Sequence, residues 1–236
     1  MFKAPSPQDP VVLSYLALRK AVGIVALALP FAVAVPEAVL HHTIQSSISA
    51  YYYTGARNLF VGSLCALGMF MLCTRGYDIK DEIAGLFSAF CAVGVAMFPT
   101  TPESGATSRQ AHIGIAHYAF AAALFLTLSF FCLVLFKMSA VGVEVTRKKK
   151  QRNIVYTVCG VAILLSLLLL VTCTLILHKV YLIGPVAPGI FFETTSLWAF
   201  GFAWLIKGEA FLKDEDPRPS LTRTTDGHVM ISNPQH

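Results

Sequence analysis

The sequence predicts an all-α integral membrane protein, a bundle of six transmembrane helices with both termini cytoplasmic. Three observations point there. Six apolar segments each approach the length of a bilayer crossing, which takes about 20 mostly apolar residues. Of the 236 residues, 56% are hydrophobic and only 13% are charged, about half the charge of a typical soluble domain. The basic residues also fall on one side of the segments.

The spans are expected near 21–37, 58–74, 83–98, 113–136, 154–177 and 189–206. None carries an ionised side chain deep in its middle. Alternating ten-residue strand patterns are absent, which argues against a β-barrel. A backbone in hydrocarbon must satisfy its own hydrogen bonds, and helices do so within each segment. The chain divides into a cytoplasmic N-terminal segment at 1–20, a transmembrane domain at 21–206 and a largely disordered cytoplasmic tail at 207–236. Arg19, Lys20 and the small-residue run Ala32-Val33-Ala34 resemble parts of a secretory signal. The long stretch ahead of the apolar run argues that the segment is retained.

With both termini inside, only Arg57, Arg109 and Lys179 of the 18 Lys and Arg lie outside. That is a strong positive-inside bias. The net charge of +5 thus reads as topology and attraction to anionic lipid, not nucleic-acid binding. The run Arg147 to Arg152 reads as a cytoplasmic anchor. The six cysteines lie in or at the ends of spans with no CxxC pair, and read as small packing residues.

Taken in order, Pro30 is expected to bend the first span, and Pro36 to end or kink it. The loop from Glu37 to Arg57 has little charge but many hydroxyls, with His41, His42, Ser46, Ser47, Ser49 and Tyr51-Tyr52-Tyr53. Such a loop is expected to lie along the interface or fold back over the bundle. Its tyrosines suit the headgroup level, or line a ligand site. The second span follows, and Arg75 to Glu82 makes a tight inner connection to the third. Gly85, Ala89, Ala92 and Ala96 form a small-residue stripe on the third span, which lets helices approach closely and predicts a central position. Pro99 to Pro102 forms a stiff outer turn before the fourth span. The leucine-rich fifth span is expected to face lipid. Pro185 and Pro188 mark the turn before the sixth.

The residues that hint at chemistry sit at the outer ends. His117 shares a helical face with Gly114 and Ala121, so that face packs against protein. A histidine there binds metal, relays a proton or hydrogen-bonds another helix. Glu193 lies about one turn inside the sixth span, where a carboxylate needs a partner. Arg57 is its candidate partner, or a binder of lipid phosphate through its planar fork. Glu37, His41 and His42 could complete a cluster. His178 shares the level but stands beside Lys179. P-loop, GxSxG and HExxH motifs are absent, and no catalytic residue is assigned.

The segment Val95-Ala96-Met97-Phe98-Pro99-Thr100-Thr101-Pro102, then His117-Tyr118-Ala119-Phe120-Ala121-Ala122, resembles a bacterial family of polytopic membrane proteins catalogued as domain of unknown function 998. The family's earlier His-x-Ile-Ser-type loop is similar to His42-Thr43-Ile44 with Ser47-Ile48-Ser49. The resemblance spans roughly 20–206. A more distant similarity is to DRAM/Sfk-like six-helix membrane proteins. These resemblances imply the fold and a bacterial inner membrane, but no activity.

Two functions are expected to compete. In the first, an outward-facing polar pocket binds a lipid headgroup or small solute in transport or envelope maintenance. Its lining is His117, Glu193, Arg57, Tyr52, Tyr53 and Ser49, and no cofactor is expected. In the second, the chain is a zinc-dependent intramembrane hydrolase acting on a lipid or amide, similar to ceramidase- and adiponectin-receptor-like enzymes. Zinc would take about three protein ligands and an open position for water, drawn from His117, His41, His42 and Glu193. Those enzymes have seven helices and paired histidines on the last, which this chain lacks. The expected partners are membrane lipids. Assembly as a homo- or hetero-oligomer stays open.

Overall fold

The computed structural model describes residues 10–73, 79–138, 146–176 and 186–211, with two short strands in the tail. Among the described residues, six α-helices carry the fold: α1 (Pro10–His41), α2 (Arg57–Cys73), α3 (Ile79–Met97), α4 (Ser108–Leu133), α5 (Arg147–Val171) and α6 (Pro188–Lys207). A 3-10 helix at Ser49–Tyr53 lies between α1 and α2, and a π-helical turn at Thr172–Ile176 extends α5. In the tail, β1 (Ser220–Arg223) pairs antiparallel with β2 (Val229–Ser232), Ser220 opposite Ser232. The sequence had not placed this ribbon. His178, Lys179 and Pro185 lie outside the described residues.

Among the described residues, four helices are long and apolar enough to cross a membrane: Val12–His41, Ser108–Lys137, Arg147–Thr174 and Pro188–Lys207. The apolar α2 is shorter. At 1.5 Å per residue, α2 and α3 are about 26 and 28 Å long, just under a hydrocarbon core of about 30 Å.

The helix ends have local causes. Thr107 opens α4 with a capping box, its side chain accepting from Gln110 N–H while Gln110 reaches back to the Thr107 amide. Thr146 caps α5 by accepting from Lys149 N–H. Pro188 starts α6, where its missing N–H costs nothing. Of the end or kink expected at Pro36, the end is overturned: α1 runs through both prolines to His41. The helix stops where His42 turns to a positive φ of 51°, a conformation histidine adopts more readily than most side chains.

Consecutive helices pack side by side, and α6 returns to α1, closing a ring. The closure is a backbone crossing. A Cβ on Gly23 would stand 2.7 Å from the Gly201 carbonyl oxygen, and one on Gly201 2.8 Å from the Gly23 oxygen. The stripe Gly85, Ala89, Ala92 and Ala96 is buried as expected, but α3 packs chiefly on α2 and α4. The helix that reaches across is α6, which meets α1, α5 and α4. Its Trp204 and Phe200 are buried, with Trp204 against Phe131 and Phe136. On α5, Leu164, Leu165, Leu168 and Leu169 point outward, while Tyr156, Cys159, Gly160 and Ile163 face the ring.

Candidate functional site

The start of α1 and the end of α6 share one end of the ring. The opposite end carries the end of α1, the start of α2, the end of α3 and the starts of α4 and α6. The loop after α1 folds back over that end and is held there by two carboxylates.

Glu193, on α6, accepts the Ser49 N–H at 3.2 Å through Oε2. The Ile48 backbone and Ser49 side chain also interact with it. The first amides of a helix lack partners inside it, and here a carboxylate from a distant helix caps the 3-10 segment. Ile190 N–H donates to the Ser46 carbonyl at 2.7 Å, and Gly189 leaves room for Ser46 and Ser47. The loop is thus docked on the start of α6. From the other side, buried Glu37 accepts the Ala56 N–H at 3.1 Å through Oε1, at the entrance to α2. Charge-assisted bonds to backbone amides are among the stronger hydrogen bonds.

Tyr51 is fully buried between these clamps. Its hydroxyl accepts the Gln45 N–H at 3.4 Å. Burial raises its pKa above 10; the Gln45 contact opposes this, and the Glu37 charge adds to it. Tyr53 donates to the Thr100 carbonyl at 2.6 Å, and Thr100 Oγ1 donates to the Tyr118 hydroxyl at 2.9 Å. The Tyr53 pKa is also raised, first by burial, then by Tyr52 and Tyr118.

His117 is buried on α4, with Nδ1 2.7 Å from the Phe98 carbonyl oxygen. A carbonyl only accepts, so Nδ1 carries the proton. His117 therefore satisfies a carbonyl left over at the end of α3. Gly114, one turn earlier, faces Thr101 with no room for a side chain. Together they seat the turn after α3 on the start of α4.

Arg57 does not pair with Glu193. It is exposed, donates to the Tyr52 hydroxyl at 2.6 Å, and stacks its guanidinium 4.2 Å from the Tyr52 ring centroid. His41 and His42 are exposed at the end of α1. The structure thus gathers Ser49 with Glu193, and Tyr52 with Arg57. His117 has different backbone partners from Glu193, and among the described residues the two meet no common group.

Among the described residues no three His, Cys, Asp or Glu come together as a metal would need. The set His117, His41, His42 and Glu193 does not fit zinc, because His117 is turned to a carbonyl and Glu193 to amides. A described groove of about 530 Å³ lies elsewhere, between the first half of α3 and the second half of α4. It is lined by Ile83, Phe87, Leu126 and Phe130, with Lys80 and Thr127 as its polar members.

Glu37 was expected to complete a cluster with His41 and His42, and instead caps the entrance to α2; Tyr51 was expected only as one of three interfacial tyrosines, and is instead buried. A carboxylate just after Pro36, near the end of an apolar run, was the available signal for Glu37; for Tyr51 nothing separated it from its two neighbours.

By length and composition, the fold is that of an α-helical membrane protein. No family model, curated protein or solved structure matches the chain. Function is therefore read from the site's own residues.

Proposed function

We propose that the chain is a six-span protein of a bacterial inner membrane, with both termini cytoplasmic, that binds a lipid headgroup at its outer end. The family resembling domain of unknown function 998 is the proposed relationship. Two features support six spans: α2 and α3 continue the ring, and their lengths approach the hydrocarbon thickness. Basic residues support the orientation. Arg19, Lys20, Lys80, Lys137, Arg147 to Lys150, Arg152 and Lys207 share the end that holds the start of α1, as a cytoplasmic face requires.

One observation carries the binding role. Arg57 stands exposed at the start of α2, with its guanidinium laid on the Tyr52 ring and, among the described residues, no carboxylate paired to it. The stacking fixes the plane of the fork, which suits bidentate contact with phosphate. Tyr52 and Tyr53 flank it at headgroup depth. Glu37, Glu193 and His117 act behind this surface, holding the loop that presents it.

The test is calorimetric titration of purified protein with short-chain phosphatidylglycerol. Arg57→Gln should weaken binding about tenfold, the loss of about 1.4 kcal/mol. Arg109→Gln, which removes an exposed charge at the same end, should change it little. Equal losses in both variants would reject the Arg57 site. A periplasm-dependent reporter fused after Glu103 should be active and one fused after Arg147 silent; the reverse pattern would reject the orientation.

A further inference from the structure

The groove between α3 and α4 is built from two matched helix faces. On α3 it takes Lys80, Ile83, Ala84 and Phe87; on α4 it takes Ala123, Leu126, Thr127 and Phe130. Each set runs i, i+3, i+4, i+7, a single stripe along one helix. Ala84 is buried and Ala123 and Thr127 are half-buried, so small side chains make the bottom. Ile83, Phe87, Leu126 and Phe130 are exposed along the sides. Thr127 donates its hydroxyl proton back to the Ala123 carbonyl at 2.7 Å, so that proton is not free for a ligand.

The packing of the two helices gives the groove its shape. Further outward they touch. A Cβ on Gly94 would stand 2.5 Å from the Phe120 ring, which also stacks on Phe98 and meets Phe90 edge-on at 5.4 Å. Phe90 lies one turn beyond Phe87, and Phe120 one turn before Ala123, so this aromatic pair stops the groove. From Lys80 to Phe87 the groove runs about 10 Å at 1.5 Å per residue, about a third of the hydrocarbon core. It is a slot of about 530 Å³ confined to one leaflet, blind toward the membrane centre, with its mouth at the basic end.

These features select the occupant. A transmembrane helix, from a partner or a second copy, is about 10–12 Å across with its side chains, and needs a face that continues through both leaflets. A slot that stops short of the bilayer centre does not supply one. A lipid acyl chain enters from the headgroup level, stays within its leaflet and needs no hydrogen bond. Lys80 stands exposed at the mouth, the one charge among the described lining residues. Asp81 and Glu82 share its turn, but neither falls on the i, i+3, i+4, i+7 stripe. A lysine so placed lays its stem on the apolar wall and lifts its ammonium to phosphate level.

We propose that this groove seats one acyl chain of an anionic phospholipid from the cytoplasmic leaflet, with the lipid phosphate at Lys80. The site lies at the other end of the ring from the Arg57 surface, and neither needs the other. Only the name of the leaflet rests on the orientation proposed above.

A tryptophan placed on the rim, Leu126→Trp, gives a local readout against the parent protein, whose own Trp198 and Trp204 lie on α6. Arg57→Gln is carried throughout, so the outer surface contributes nothing and its fate is decided separately. The full chain in neutral detergent is titrated with phosphatidylglycerol brominated on its acyl chains, and with phosphatidylcholine brominated in the same way. Bromine quenches an adjacent indole. The added indole should be quenched saturably, at about fivefold lower phosphatidylglycerol than phosphatidylcholine, the preference one lysine near a membrane surface supplies. Lys80→Gln should erase that preference and leave quenching by phosphatidylcholine within about twofold. Lys150→Gln, also exposed at the basic end, should keep it. Ala123→Leu, which fills the bottom of the slot, should weaken both lipids about tenfold; Ala119→Leu, on the exposed outer part of α4, should not.

Quenching that never saturates and is alike for the two lipids would mean only bulk lipid around the helices, and would overturn the site. So would equal effects of Ala119→Leu and Ala123→Leu. An indole that neither lipid reaches until the protein is diluted would put a second copy in the groove, and would overturn the lipid. If Ala123→Leu does not fold, Lys80→Gln decides alone: loss of the phosphatidylglycerol preference supports the site, and its persistence overturns it.

Discussion

Replacing Gly201 by alanine tests how the ring is closed. A Cβ there would stand 2.8 Å from the Gly23 oxygen and 2.9 Å from Leu27 Cγ. On the facing helix, a Cβ on Gly23 would stand 2.7 Å from the Gly201 oxygen and 2.8 Å from Leu205 Cγ. Carbon contacts are favourable from about 3.5 Å, so α1 and α6 must separate by roughly 0.7 Å. A gap of that size forfeits about a quarter to a half of each atom pair's attraction, itself about 0.1–0.2 kcal/mol. Over several tens of pairs along the crossing the loss is about 2–3 kcal/mol. Alanine's better helix propensity offsets at most about 1 kcal/mol. Each single variant should therefore lose about 1–2 kcal/mol, within the usual range for overpacking. One separation relieves both clashes, so Gly23→Ala with Gly201→Ala should cost less than the sum by about 1 kcal/mol. Unfolding in mixed micelles of graded denaturing detergent measures this. Gly62→Ala, which meets open space, is the matched control. Neutral single variants, or a double variant that costs the full sum, would refute the crossing.

Three further outcomes follow from the capped loop. Glu193→Ala and Glu37→Ala should each destabilise by about 1–3 kcal/mol, because a buried N–H loses its acceptor; hydrogen exchange should speed up at Ser49 in the first and at Ala56 in the second. His117→Ala should cost a similar amount by orphaning the Phe98 carbonyl, and His117→Asn, which keeps a donor, should recover part of it in a melting assay. The Tyr51 and Tyr53 phenols titrate above their ordinary value of 10.0. The unfolded chain then loses these protons first, so their stabilisation is complete below about pH 10 and falls as pH rises through the folded values. Phenolate absorbance should therefore appear late and together with exposure of the loop to protease. Tyr51→Phe should shift that transition.

Helix positions were legible because hydrocarbon length and backbone satisfaction act on each segment alone. The spans expected at 58–74 and 189–206 fall almost on Arg57–Cys73 and Pro188–Lys207. The larger differences lie at α1, which starts at Pro10 and carries Arg19 and Lys20 within it, and at α5, which starts in the basic run at Arg147. Hydropathy is blind to the basic first turns of α5, and the Thr146 cap defines its boundary instead. Of the two outcomes expected at Pro36, the helix end is not the one seen, because proline removes one hydrogen bond without ending a helix whose other turns are packed.

The sequence by itself determined an apolar helical chain with small-residue faces, a basic end, and polar groups gathered at the other. These follow from composition and local spacing. Only the tertiary structure decided that Glu193 meets the Ser49 amide, that Glu37 meets Ala56 and that His117 meets Phe98. Each contact joins residues from different elements, and depends on which helices are neighbours and how each is rotated. Local pattern constrains the apolar face of a helix but not its neighbour. In this ring, closure at Gly23 and Gly201 brings α6 back beside α1 and helps set where its two ends, and their charges, come to rest.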